Sequence, residues 1–169
     1  MKKTLRWTVL FALFLIVGLL AAGQTVMAAE EFDVNTWEKL EAALESSGTS
    51  TINVKQNINQ ALTSVARSIS IVGNKTLNLN GYTVKASYDE SYSWAPVTGF
   101  FNIESGGMLT INNGKIIGAN YSSGRDRHSC GVINVEGTLT TNNVDITNTR
   151  TGSTIRVDSG TVNLYGGRI

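Results

Sequence analysis

The sequence predicts an all-β solenoid, a stack of parallel β coils with an amphipathic helix at its start, and three observations predict it. From Thr51 onward Thr, Val, Ile, Asn and Gly dominate in short apolar–polar alternations, with Pro96 as the single proline. A helical period occurs once, between residues 30 and 48. Four stretches share one pattern: ISIVGNKTLNLNGYTV (69 to 84), FNIESGGMLTINNGKI (101 to 116), INVEGTLTTNNVDI (133 to 146) and IRVDSGTVNLYGGRI (155 to 169). Self-similarity at a period of a few tens of residues is the signature of a repeat architecture.

Residues 1 to 28 stand apart from this domain. MKKTLRW is a basic start, TVLFALFLIVGLLAAG an apolar run, and Val26 and Ala28 occupy the small-residue positions of a cleavage site. Together they predict a secretory signal peptide cut after Ala28 or Ala29. The alternative is an uncleaved anchor, the run being near the lower limit for a spanning helix. Removal of Lys2, Lys3 and Arg6 leaves 11 basic residues against 13 acidic. This near-neutral balance lacks the basic footprint of a nucleic-acid binder, and the membrane is expected to be met only through the uncleaved signal peptide. With one cysteine, Cys130, no intramolecular disulfide is possible.

Residues 29 to 48 are expected to form a capping helix. Asn35 followed three residues later by Glu38 resembles a capping box, Val34, Trp37, Leu40 and Leu44 share one helical face, and Ser46, Ser47 and Gly48 stop the helix. A helix there would cover the first coil, an unpaired edge that invites aggregation when left open.

Residues 49 to 169 then form about five coils, TINVKQNI (51 to 58) beginning the first. Each matched copy holds an apolar–polar–apolar triplet, a Gly-bearing turn, a second triplet, an Asn- and Gly-rich break and a β-branched residue. The second triplet ends at Leu79, Ile111, Thr141 and Leu164, with the β-branched residue five positions later at Val84, Ile116, Ile146 and Ile169. Length varies only after that residue, at 85–99, 117–131 and 147–153, and insertions at one corner are what a stack of equal coils tolerates. The chain stops on Ile169, with no polar or helical cap after it, so the C-terminal end is expected to be incomplete and the chain a fragment.

VNTWEKLEAAL, TINVKQNI, SISIVGNKTLNLNG and the recurrent GMLTINNGKI resemble the pectate-lyase-like adhesive domain of Gram-positive bacterial surface proteins, over nearly all of residues 33 to 169. The resemblance implies a right-handed parallel, pectin-lyase-like β-helix, secreted or attached to the cell wall. It also implies an adhesive or glycan-contacting role, with a polysaccharide or a host matrix or cell-surface ligand as partner and no established catalytic set.

Candidate chemistry follows from aligning the copies. Ile69 and Ile71, Phe101 and Ile103, Ile133 and Val135, and Ile155 and Val157 should face inward. Glu104, Glu136 and Asp158 then stack in one outward column, where like charges repel unless solvated, paired or bound to a cation. Calcium, a hard cation, would accept their oxygens. In lyases of this fold such acids hold calcium against an anionic sugar and an arginine is the base, which makes Arg156 the candidate here. The plain alternative is a hydrated acidic ridge with Arg156 paired to an acid. Lys115, Asp145 and Arg168 form a second column, of alternating sign.

The two long insertions carry Tyr88, Tyr92, Trp94 and Tyr121, which could stack on sugar rings or pack back onto the scaffold. His128 and Cys130 lack an oriented third group for nucleophilic catalysis, a single His argues against zinc, and the paired Asp motifs of β-helix hydrolases do not appear. The expectation is therefore an exported, non-enzymatic β-helix that adheres or binds glycans. A calcium-dependent pectate-type lyase is the alternative and a structural stalk the second alternative.

Overall fold

The computed structural model describes residues 29–62, 68–88, 100–118, 132–148 and 153–169. The expected signal peptide lies outside them. In chain order the elements are β1 (Glu30–Val34), α1 (Trp37–Glu45), β2 (Thr49–Val54), β3 (Ile58–Leu62), β4 (Ile69–Ile71), β5 (Asn74–Asn78) and β6 (Thr83–Tyr88). They continue with β7 (Phe101–Ile103), β8 (Met108–Gly118), β9 (Ile133–Val135), β10 (Thr138–Asn148), β11 (Ile155–Val157) and β12 (Thr161–Arg168).

Every strand pair described is parallel, and the strands form two sheets. The long sheet runs β1-β2-β5-β8-β10-β12, with β3 and β6 continuing it beside β8. The short sheet runs β4-β7-β9-β11. Its register aligns Ile69, Phe101, Ile133 and Ile155, and two residues on Ile71, Ile103, Val135 and Val157, in the columns the alternation predicts. Side chains of a strand alternate between its faces, so these columns and those of the long sheet meet in one apolar cluster. Burying each Ile, Leu or Phe contributes about 1.5–3 kcal/mol. Val157 and Leu164 hold core columns in β11 and β12, the last rows described, and are about half exposed.

The N-terminal segment differs from the expected helix over 29 to 48. Residues 30–34 form β1, paired with β2 from Glu30↔Ser50 to Val34↔Val54, because the β2 backbone offers this segment a complete ladder. The helix is shorter and starts one residue later than the Asn35 cap implies. Thr36, in extended conformation, is the N-cap and accepts from the Lys39 amide at 3.4 Å, while Asn35 accepts instead from Lys39 Nζ at 3.2 Å. Trp37, Leu40, Ala43 and Leu44 are buried, and Trp37 meets Phe100 edge to face at 5.1 Å.

The C-terminus of α1 is held by a buried cation. Lys75 stands in an inward column with Ser50 and Leu109, and its Nζ donates to Ser46 O (2.6 Å), Ser46 Oγ (2.9 Å) and Gly48 O (3.2 Å). A cation beside the last carbonyls of a helix satisfies orphan acceptors and complements the helix dipole. Burial lowers the Lys75 pKa, and the Glu30 charge opposes that shift.

The first repeat is also registered differently. Leu77, not Leu79, aligns with Ile111, while Val84 still aligns with Ile116, so the bend after β5 is two residues longer than the bend within β8. Leu79 uses that length to turn a further side chain into the core, against Gly114. A Cβ on Gly114 would lie 2.5 Å from the Leu79 Cβ and 2.7 Å from the Tyr82 carbonyl oxygen. The bends of β8 and β10 place Asn113 and Asn143 at φ 51° and 56°, the left-handed region that Asn tolerates better than most residues.

Candidate functional site

Two columns run up the outward side of the short sheet. The first is Ser70, Asn102, Asn134 and Arg156 in direct register. The second follows the strand ends and carries Glu104, Glu136 and Asp158, whose amides donate to the carbonyls of Ile71, Ile103 and Val135 at 3.1, 2.9 and 3.1 Å. The backbone therefore brings the three acids to one repeating position.

The acids make local contacts. Glu104 Oε1 accepts from Ser70 Oγ at 3.0 Å, one strand back, and from Asn102 Nδ2 at 2.7 Å. Asp158 Oδ1 accepts from both Nε and Nη2 of Arg156, each at 2.8 Å. Glu136 is exposed. Among the described residues, no three His, Cys, Asp or Glu side chains converge to hold a metal ion. Arg156, the lyase-base candidate, is thus engaged by its own neighbour, as a charge-assisted fork pairs it with a carboxylate.

Of the candidate aromatics, Tyr88 ends β6 with its backbone aligned to Leu62. Tyr92, Trp94 and Tyr121 lie outside the described residues, as do His128 and Cys130.

The column of alternating charge lies beyond the bend of the long sheet. Thr83, Lys115, Asp145 and Arg168 are in register, and Arg168 Nη2 is 3.1 Å from Asp145 Oδ2. The hydrogen bond from Arg168 is the main cause that lowers the Asp145 pKa, against a smaller opposing effect of burial, and the Lys115 charge adds to the lowering.

A further feature escapes the sequence reading. Asn53, Asn78, Asn112 and Asn142 occupy one position on successive strands and bond to one another through their amides. Asn78 donates to Asn53 (2.9 Å), Asn112 to Asn78 (2.9 Å) and Asn142 to Asn112 (2.8 Å), and Asn53 donates to Glu31 Oε1 (2.8 Å). An amide is donor and acceptor at once, so identical residues one strand spacing apart complement each other. The signal was present in the sequence as an Asn five residues after the turn glycines Gly48, Gly73, Gly107 and Gly137.

A family model described as a pectate lyase-like adhesive domain matches residues 31–166. No curated protein and no solved structure matches the chain.

Proposed function

Because the chain belongs to the pectate lyase-like adhesive domain family, for which a surface adhesive role is the family-level function, we propose that it is an exported bacterial adhesin domain that binds glycans. In this reading residues 1–28 direct secretion and the mature chain acts in the medium or at the cell wall. The two parallel sheets are faces of one right-handed β-helix, and α1 caps its first coil. The family match over residues 31–166 carries the reading, and the parallel pairing of every described strand supports the fold. Among the described residues no helix is long and apolar enough to cross a membrane.

The test is binding of the full chain to an array of neutral and anionic glycans and to host matrix proteins. Retention on at least one glycan class above a β-rich control protein is the expected result. No retention on any surface removes the reading.

A calcium-dependent pectate-type lyase is the second reading, motivated by the register that aligns Glu104, Glu136 and Asp158. Its calcium site and its base, Arg156, stand or fall together. Ultraviolet absorbance from unsaturated products on polygalacturonate with calcium, lost in Arg156→Ala, would establish it. The contact of Arg156 with Asp158 favours the adhesive reading, because a guanidinium turned onto a carboxylate two residues away on its own coil is not directed at a substrate.

A further inference from the structure

The outward positions of β2, β5, β8 and β10 ahead of the bend make an in-register array that the adhesive family match does not assign. Its first column is Thr49, Asn74, Met108 and Thr138, its second Thr51, Thr76, Thr110 and Thr140, and its third the bonded asparagines. No position in this array carries a charge. At β1 the second and third columns continue as Glu31 and Asp33, which meet Asn53 Nδ2 at 2.8 Å and Lys55 Nζ at 2.9 Å. The charges of β8 and β10, Lys115 and Asp145, lie past the bend.

The array is regular and stiff. Successive rows are about 4.8 Å apart and successive columns about 6.6 Å apart, from parallel-strand geometry. Threonine is restricted at χ1, so each of the four half-buried threonines offers a methyl and a hydroxyl in a limited set of directions. The asparagine amides are fixed by their mutual bonds, which aims every row alike. Met108, 44 % exposed, adds an apolar contact in the first column of the array.

The geometry points to this face as a binding surface for an uncharged, linear β-linked glycan lying along the stack. The inference rests on the glycan reading above and names both the ligand class and the face. An uncharged array offers nothing to compensate the carboxylates of an anionic polymer, so a neutral chain is the complementary partner. An extended β-linked pyranose chain advances by one ring over nearly the distance of one strand row. Successive rings can therefore present hydroxyls to successive threonines and asparagines, with their C–H faces against the threonine methyls and Met108. A face of this kind gains affinity by adding weak, identical contacts on a scaffold that needs no ordering.

The test uses the full chain and three insoluble probes: cellulose, chitin and cross-linked polygalacturonate. Wild type is expected on a neutral probe. The double variant Thr76→Lys/Thr110→Lys should lose at least about tenfold in affinity, since it replaces two hydrogen-bonding rows by solvated charges. Thr110→Val keeps shape and fold, and should weaken binding several-fold. Asn102→Lys, on the short sheet, should leave it unchanged. If both threonine variants bind like wild type and Asn102→Lys loses binding, the assignment of the face is overturned while the glycan reading survives. Preferred binding to polygalacturonate overturns the neutral ligand class, and no binding to any probe overturns both the inference and the reading beneath it.

Discussion

In the long sheet one outward column repeats a single residue type through Asn53, Asn78, Asn112 and Asn142, whereas the matching column of the short sheet reads Ser70, Asn102, Asn134 and Arg156. An amide can satisfy a copy of itself in the next row, so repetition in the long sheet links rows together. A carboxylate cannot. Each acid beside the short sheet must be solvated or find a local donor, as Glu104 does in Ser70 and Asn102 and Asp158 does in Arg156. The amide ladder therefore couples four successive rows, whereas the contacts of each acid end within its own row or the one before it.

That contrast can be broken first at Asn112. Asn112→Ala takes the donor from the Asn78 side-chain oxygen and the acceptor from the Asn142 side-chain nitrogen, breaking the ladder at two half-buried groups, and should cost about 3 kcal/mol in urea unfolding. Asn102→Ala, which removes one bond to Glu104, should cost about 1 kcal/mol or less. Equal costs would dissolve the distinction between the sheets. Lys75→Met tests whether the long sheet also anchors α1. It keeps most of the buried volume but strands the Ser46 and Gly48 carbonyls, and a loss of about 2 kcal/mol is expected, with far-ultraviolet dichroism reporting early fraying of the helix.

A smaller effect has the opposite sign. Thr141 sits in the core column of Leu77 and Ile111, and its buried hydroxyl has no hydrogen-bond partner among the described residues. Thr141→Val should therefore stabilise the protein by about 1 kcal/mol, read as a higher urea midpoint at unchanged slope.

The smallest effect lies in the charge column. Asp145 has its pKa lowered in the folded state, chiefly by Arg168, so its contribution is present above the unfolded value near 3.9 and is lost as pH falls through the folded value. The Tm difference between wild type and Asp145→Asn should be measurable at neutral pH and low salt, and should vanish in strong acid. A difference that grows toward low pH would show that the ladder is not what Asp145 contributes.

Much of this architecture was legible because period-two alternation reports inward columns directly. Ile69, Phe101, Ile133 and Ile155 were aligned correctly from their triplets, and so were Lys115, Asp145 and Arg168. The first repeat departs from this alignment because its bend is two residues longer, and a β-branched residue that follows a bend does not report the register before it. The turn glycines are the better anchor: Gly48, Gly73, Gly107, Gly137 and Gly160 each stand four residues before Ile52, Leu77, Ile111, Thr141 and Leu164. Gly73, Gly107, Gly137 and Gly160 are fixed by contact with the backbone of the preceding row, a carbonyl oxygen 2.5 Å from a Cβ built on Gly73 or Gly107, while Gly48 is fixed by its φ of 84°. Anchored there, the asparagine column appears at once. The strand at 30–34 was not legible, because EEFDV has weak strand character and forms β1 through its ladder with β2.

In the adhesive reading proposed above, glycan contacts do not run through a metal on the acid face. Glycan binding by the full chain, measured with calcium and then with excess chelator, tests it most directly. Unchanged affinity for a neutral glycan in chelator is the predicted result. Binding that disappears in chelator and returns with calcium would contradict the claim and move the function to Glu104, Glu136 and Asp158.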